Sequence, residues 1–127
     1  MPSDPAAVFL LVSIAVFVPA FVLPLLFAPV AWARMFRWRV PADLDLVRYF
    51  GRCVGGLALA IAVLAARAAF EPALLAPALD TLLVAFVVLV GIHVWGAVRR
   101  EQPWTENAEI ALYSLFGLAA AWFRFRG

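Results

Sequence analysis

The chain has one histidine, His93, and a cluster of carboxylates shortly after it. These are the residue types suited to proton transfer, hydrogen-bonded ligand capture or metal ligation. The stretch from Gly91 to Tyr113 holds three of the eight carboxylates and two of the five tryptophans. At about 100° per residue, Glu106, Glu109, Tyr113, Ala120 and Arg124 share one helix face. That face offers a carboxylate, a phenol and a gap opened by the small Ala120. Arg48 and Arg52 stand one helical turn apart earlier in the chain, and either would make a bidentate partner for Glu109. His93 has no second histidine beside it, and no His/Cys/carboxylate group shows ligand spacing along the chain. No metal and no cofactor are therefore expected. A haem would need His93 alone or a partner chain. Ser13 and Ser114 lie in separate apolar runs without a local acid–base motif, which argues against nucleophilic catalysis. No Gly-rich phosphate loop is present.

The elements that would position these residues are written in the composition. Of 127 residues, 67% are hydrophobic, and the mean hydropathy is +1.01. A soluble domain is about half apolar, so the chain reads as a membrane protein. At about 20 residues per span there is room for roughly four membrane helices in one domain. The net charge of +2 is carried by ten arginines and no lysine, all near span ends or loops. That distribution suits headgroups and not nucleic acid, which is not expected as a partner. The single Cys53 excludes an internal disulfide and reads as a packed, inert thiol.

The expected fold is all-α, an integral membrane bundle of four transmembrane helices with a short interfacial segment after the first. The spans fall at about 6–30, 44–69, 78–98 and 106–122, within one domain covering 1–127. The first run is too long for the apolar core of a signal peptide, and Asp4 precedes it without any arginine. Pro19 and Pro24 should bend this helix. The segment Ala31 to Arg39 alternates arginines with aromatics, as headgroup-level segments do. Trp32, Trp38, Trp104 and Trp122 are the expected interface anchors. Asp43 is the expected N-cap of span two and Thr105 that of span four, and Asp80 is a candidate partner for Arg67 across the second turn. Gly51, Gly55, Ala58 and Ala62 form a small-residue stripe on span two that would let another helix approach closely.

With four spans, Arg34, Arg37, Arg39, Arg48, Arg52, Arg99 and Arg100 share one side, against Arg67, Arg124 and Arg126 on the other. This predicts both termini outside, with loops 31–43 and 99–105 in the cytoplasm. Arginine without lysine, together with heavy alanine use, suggests a bacterial inner (plasma) membrane. The same topology brings Arg48, Arg52, His93, Glu109 and Tyr113 to one membrane level. Ionisable groups at that depth should pair or face a cavity.

Two resemblances follow from these motifs. Arg48-Tyr-Phe-Gly51 and Gly55-Gly56-Leu-Ala-Leu-Ala resemble the DoxX-like family of small four-helix membrane proteins. The arginine–glycine start of span two, His93 and the Thr105 region resemble the scaffold protein family of ergosterol biosynthesis. Both imply the four-helix architecture, and the second implies a scaffold role. The sequence thus favours a non-enzymatic accessory or scaffold subunit. It would sit in the lipid bilayer and self-associate or join a partner membrane protein through the small-residue stripe. The alternative is a membrane enzyme or binding protein for a lipid, sterol-like molecule or quinone, with Arg52, His93, Glu109 and Tyr113 as its polar lining. That alternative predicts an apolar cavity with His93 and Glu109 turned into it. The polar cluster either locks the bundle or lines a pocket, and locking is the reading that the sequence favours.

Overall fold

A computed structural model describes residues 4–126, all of whose regular elements are helical. Residues 1–3 and Gly127, counted at the ends of the expected domain, lie outside the described residues. Four apolar segments are long enough to cross a membrane: Pro5–Phe27, Asp45–Ala68, Pro72–Arg99 and Trp104–Arg126. The chain is therefore a multi-pass all-α membrane bundle. Large apolar side chains such as Leu57 and Leu118 are 70% and 73% exposed, as lipid-facing residues are.

Helix α1 (Pro5–Phe17) starts where Asp4 Oδ1 accepts from the Ala6 amide at 2.8 Å, with Pro5 in the first turn, where its missing N–H costs nothing. The expected bend takes a specific form. Pro19 lies in a π-helical turn over Val18–Val22, after which α2 (Leu23–Phe27) resumes the α-helix. Pro24 cannot donate to the Ala20 carbonyl four residues back. The indole N–H of Trp32 donates to that carbonyl instead, at 3.0 Å. Trp32 is thus half-buried and bonded inside the bundle, where the sequence suggested an interface anchor.

The first span ends at Ala28, whose backbone leaves helical geometry (φ −139°, ψ 51°), and α3 (Pro29–Met35) turns away from it. Arg37 closes α3 in the left-handed region (φ 64°). The Arg37 and Trp38 amides donate to Arg34 and Ala33 carbonyls, the paired bonds of a Schellman ending. Glycine usually takes this position, so an arginine there fixes the chain direction at a cost of about 1–2 kcal/mol.

Helix α4 (Asp45–Ala68) begins one residue later than expected, with Asp43 Oδ1 accepting from the Asp45 amide. Its small-residue stripe packs inside the chain. A Cβ on Gly55 would lie 2.8 Å from the Leu26 amide nitrogen, and one on Gly51 would strike the Pro29 ring. Cys53 is exposed, not packed as expected, because it lies off this stripe. A 3₁₀ turn at Pro72–Leu74 leads into α5 (Leu75–Arg99), which therefore starts earlier than position 78. Arg100 ends it in the left-handed region (φ 56°), with a second Schellman pair from Arg100 to Ala97 and Glu101 to Gly96.

Helix α6 (Trp104–Arg126) runs past position 122 and packs antiparallel along α5. Arg67 pairs with Glu71 on its own side of the turn. Asp80 meets Arg124 of α6 at 2.6 Å instead of Arg67, because the α5–α6 hairpin sets those two side by side. Trp104 and Trp122 are exposed near the ends of α6, with Arg37 and Arg126 guanidinium groups over their rings. The core joins Ala6, Phe9 and Leu10 of α1 to Ala65 and Ala68 of α4, Leu79, Leu82 and Phe86 of α5, and Ala120 of α6. An aromatic chain runs through it from Phe123 and Phe9 by way of Phe116, Phe17 and Phe86 to Tyr113 and His93.

Candidate functional site

The end of that aromatic chain is the polar centre of the molecule. His93 lies near the C-terminal end of α5, while Glu106 and Glu109 lie in the first turns of α6. The turn between these helices is tight, so residues equidistant from it, near position 101, face each other. Position 93 then meets position 109. His93, Glu106 and Glu109 are 8%, 4% and 5% exposed, and a buried ionisable group must find partners.

Their hydrogen bonds define the site. His93 Nδ1 lies 2.7 Å from the Leu89 carbonyl. A carbonyl only accepts, so Nδ1 carries the proton and donates. The other nitrogen, Nε2, faces two carboxylate oxygens, Glu106 Oε2 at 3.2 Å and Glu109 Oε2 at 3.3 Å. Glu106 Oε1 accepts from the Trp38 indole N–H at 2.9 Å. The Tyr113 hydroxyl donates to Glu109 Oε2. Glu109 Oε1 is buried and has no hydrogen-bond partner among the described residues.

The loop after α3 fastens this centre. Trp38 reaches Glu106 across 68 positions of sequence, and the Thr105 hydroxyl donates to the Phe36 carbonyl. Thr105 therefore clasps the first turn of α6 to the end of α3 and is not the N-cap of α6, which starts at Trp104. The Gln102 amide donates to the His93 carbonyl at 2.9 Å and to Asn107 Oδ1 at 2.8 Å, bracing the turn on the histidine backbone.

The polar centre forms one end of a partly open cavity of about 260 Å³. Residues from every span build its wall, including Phe17 and Val22, Trp32, Ala58 and Ala62, and Leu82 and Leu89. Its polar lining beyond this centre is Ser13, whose hydroxyl is already bonded to the Phe9 carbonyl, and the Trp32 indole. The stripe residues Ala58 and Ala62 leave the volume that a larger side chain would fill.

Of the five residues the sequence assigned to one polar cluster, the structure brings together His93, Glu109 and Tyr113. Arg48 and Arg52 are exposed on α4, and Arg48 lies 3.7 Å from Asp45. The expected arginine–Glu109 pair is absent among the described residues. Topology suggests a common membrane level for Arg48, Arg52 and Glu109, but it does not fix the direction in which each side chain points. Sequence reasoning passed over two members. The sequence puts Glu106 on the face of Glu109 and Tyr113, yet the expected cluster leaves it out. Trp38 was read as an anchor, and no local pattern points it at residue 106. The ligand-spacing argument also missed the cluster, because its atoms converge from two helices.

Against family models, curated proteins and solved structures, the chain finds no match.

Proposed function

We propose that this bundle is a membrane-embedded binding protein for a small amphiphile, such as a quinone, a sterol-like molecule or a lipid. The head of the ligand would meet His93, Glu106, Glu109 and Tyr113, and its apolar part would lie along Phe17, Ala58, Ala62 and Leu82. The observation that carries this reading is an apolar cavity whose one polar end holds a buried, unsatisfied carboxylate oxygen. Small-molecule sites are mostly apolar with a few convergent polar groups. The volume of about 260 Å³ is just under the low end of ligand pockets, about 300 Å³. It suits a head group and its first carbons, with any long tail leaving through the open side into lipid.

The donors of the centre are all engaged while Glu109 Oε1 is free to accept, so a head that donates, such as a hydroxyl or a protonated carboxyl, fits it. The accessory-subunit reading loses its main support, because Gly51 packs on Pro29 of α3 and Gly55 on the first span of the same chain. The four-helix architecture implied by the DoxX-like and ergosterol-scaffold resemblances is compatible with a binding role. From arginine use without lysine and heavy alanine we infer a bacterial inner membrane, and from the arginine distribution both termini outside with loops 31–43 and 99–105 in the cytoplasm.

The test is a titration of the detergent-solubilised protein with a short-chain quinone and with a fluorescent fatty acid, read by tryptophan quenching, since Trp32 is in the cavity wall. Saturable one-to-one binding is expected for at least one probe, and Ala58→Phe or Ala62→Phe should abolish it by filling the cavity. Binding that survives both fillings, or no saturable binding of any amphiphile extracted from native membranes, refutes the proposal.

A further inference from the structure

Two carboxylates and an imidazole whose Nε2 points between them form a donor set that is incomplete without a cation or extra protons. We propose that His93, Glu106 and Glu109 bind one divalent transition-metal ion of the zinc or iron(II) class at the polar end of the cavity. Ligand atoms of the three residues lie within 4.8 Å of one another. The two separations at Nε2 are 3.2 and 3.3 Å. Bonds of about 2.0–2.2 Å to such a metal place neighbouring ligand atoms roughly 2.9–3.5 Å apart, depending on geometry. The preformed separations fall inside that interval.

The surroundings are those of a metal ligand shell. A ligating histidine commonly donates its second ring N–H to a carbonyl or carboxylate, which fixes the tautomer and aims the free nitrogen. His93 does this through Nδ1 and the Leu89 carbonyl at 2.7 Å. Both carboxylates are held in place, Glu106 through its outer oxygen Oε1 by the Trp38 indole, and Glu109 by the Tyr113 hydroxyl on Oε2, the oxygen that also faces His93. Glu109 Oε1 is an independent sign of a missing partner, being a buried acceptor with nothing to accept from among the described residues. Charge points the same way. Arg48 and Arg52 are exposed and turned elsewhere, so two acids and a neutral imidazole would leave net negative charge in an apolar interior. A divalent ion neutralises it.

The donor set selects the metal class. One imidazole nitrogen with carboxylate oxygens suits zinc, iron(II), manganese(II) or cobalt(II). It offers no thiolate for softer ions and too few oxygens for calcium. Three protein ligands leave a coordination position open toward the cavity, as in zinc sites that take up water or a ligand head. Only that last point rests on the proposed amphiphile site. The metal site itself stands without it.

The test uses the full chain with a histidine-free affinity tag, stripped with chelator and titrated with zinc(II) or cobalt(II) without added amphiphile. One equivalent per chain is expected, with cobalt d–d absorption bands typical of mixed nitrogen and oxygen ligation. Because His93 is the sole histidine, its ring ¹⁵N resonances report directly, and zinc should shift Nε2 while Nδ1 stays protonated. His93→Gln and Glu109→Gln should each weaken binding at least about tenfold, while Asp43→Asn/Asp45→Asn, at exposed acids, should leave it unchanged. An unshifted His93 ring in the wild-type protein overturns the proposal even if the variants misfold. Equal affinity in wild type, His93→Gln and Glu109→Gln also overturns it, since the metal would then sit elsewhere. Amphiphile binding measured in the presence of chelator separates failure of this proposal from failure of the binding function.

Discussion

Adjacent glycines on α4 should respond to the same substitution with opposite signs. A Cβ on Gly55 would sit 2.8 Å from the Leu26 amide nitrogen, 3.0 Å from Leu26 Cγ and 3.1 Å from the Leu25 carbonyl carbon. Two of those three atoms are backbone, so rotamer changes cannot relieve the overlap and α4 must move off the first span. Overpacking of this kind costs about 1–3 kcal/mol, which is about a 5- to 140-fold loss in the folding equilibrium constant. At Gly56 a Cβ meets nothing within 4 Å. Gly56→Ala should therefore be neutral or stabilising by up to about 1 kcal/mol, the helix-propensity difference. The assay is reversible unfolding of the two variants in mixed micelles, followed by helical circular dichroism, alongside light scattering for oligomeric state. Because Val54 and Ala58 flank Gly55 and line the cavity, Gly55→Ala should also weaken amphiphile binding. If Gly55→Ala left stability intact and instead dissociated an oligomer, the stripe would serve a partner helix and the internal packing described above would be wrong.

Further outcomes follow from individual contacts. Tyr113→Phe keeps the ring packed on Phe17 and Phe86 but removes the donor to Glu109. It should cost about 1–3 kcal/mol, the usual cost of a buried acceptor left unpaired, and should weaken probe binding in the fluorescence titration. Trp32→Phe withdraws the N–H that satisfies Ala20 and should lower stability by about 1 kcal/mol in the same unfolding assay. A double-mutant cycle on Asp80 and Arg124 should show a coupling of about 0.2–1 kcal/mol, as for a partly exposed pair, whereas a cycle on Asp80 and Arg67 should show none.

The amino-acid sequence by itself determined the membrane class, the number of spans and their approximate limits. Those properties follow from local composition: an apolar run long enough for the bilayer must be helical, because its backbone has no other hydrogen-bond partners there. It also put Glu109 and Tyr113 on one face, since they are one helical turn apart, and His93 at their level. Direction about each helix axis depended on packing between helices, and that was legible only in part. The hairpin register set by the tight turn at 100–103 brings His93 to Glu109 and Asp80 to Arg124. By contrast, the exclusion of Arg48 and Arg52 depends on Gly51 being claimed by α3 and Gly55 by the bent first span. The recruitment of Trp38 depends on a left-handed arginine that redirects the chain after α3. Both are contacts between residues far apart in sequence, and neither has a periodic or compositional signature. Only the tertiary structure decided that the polar residues of this chain converge on a cavity.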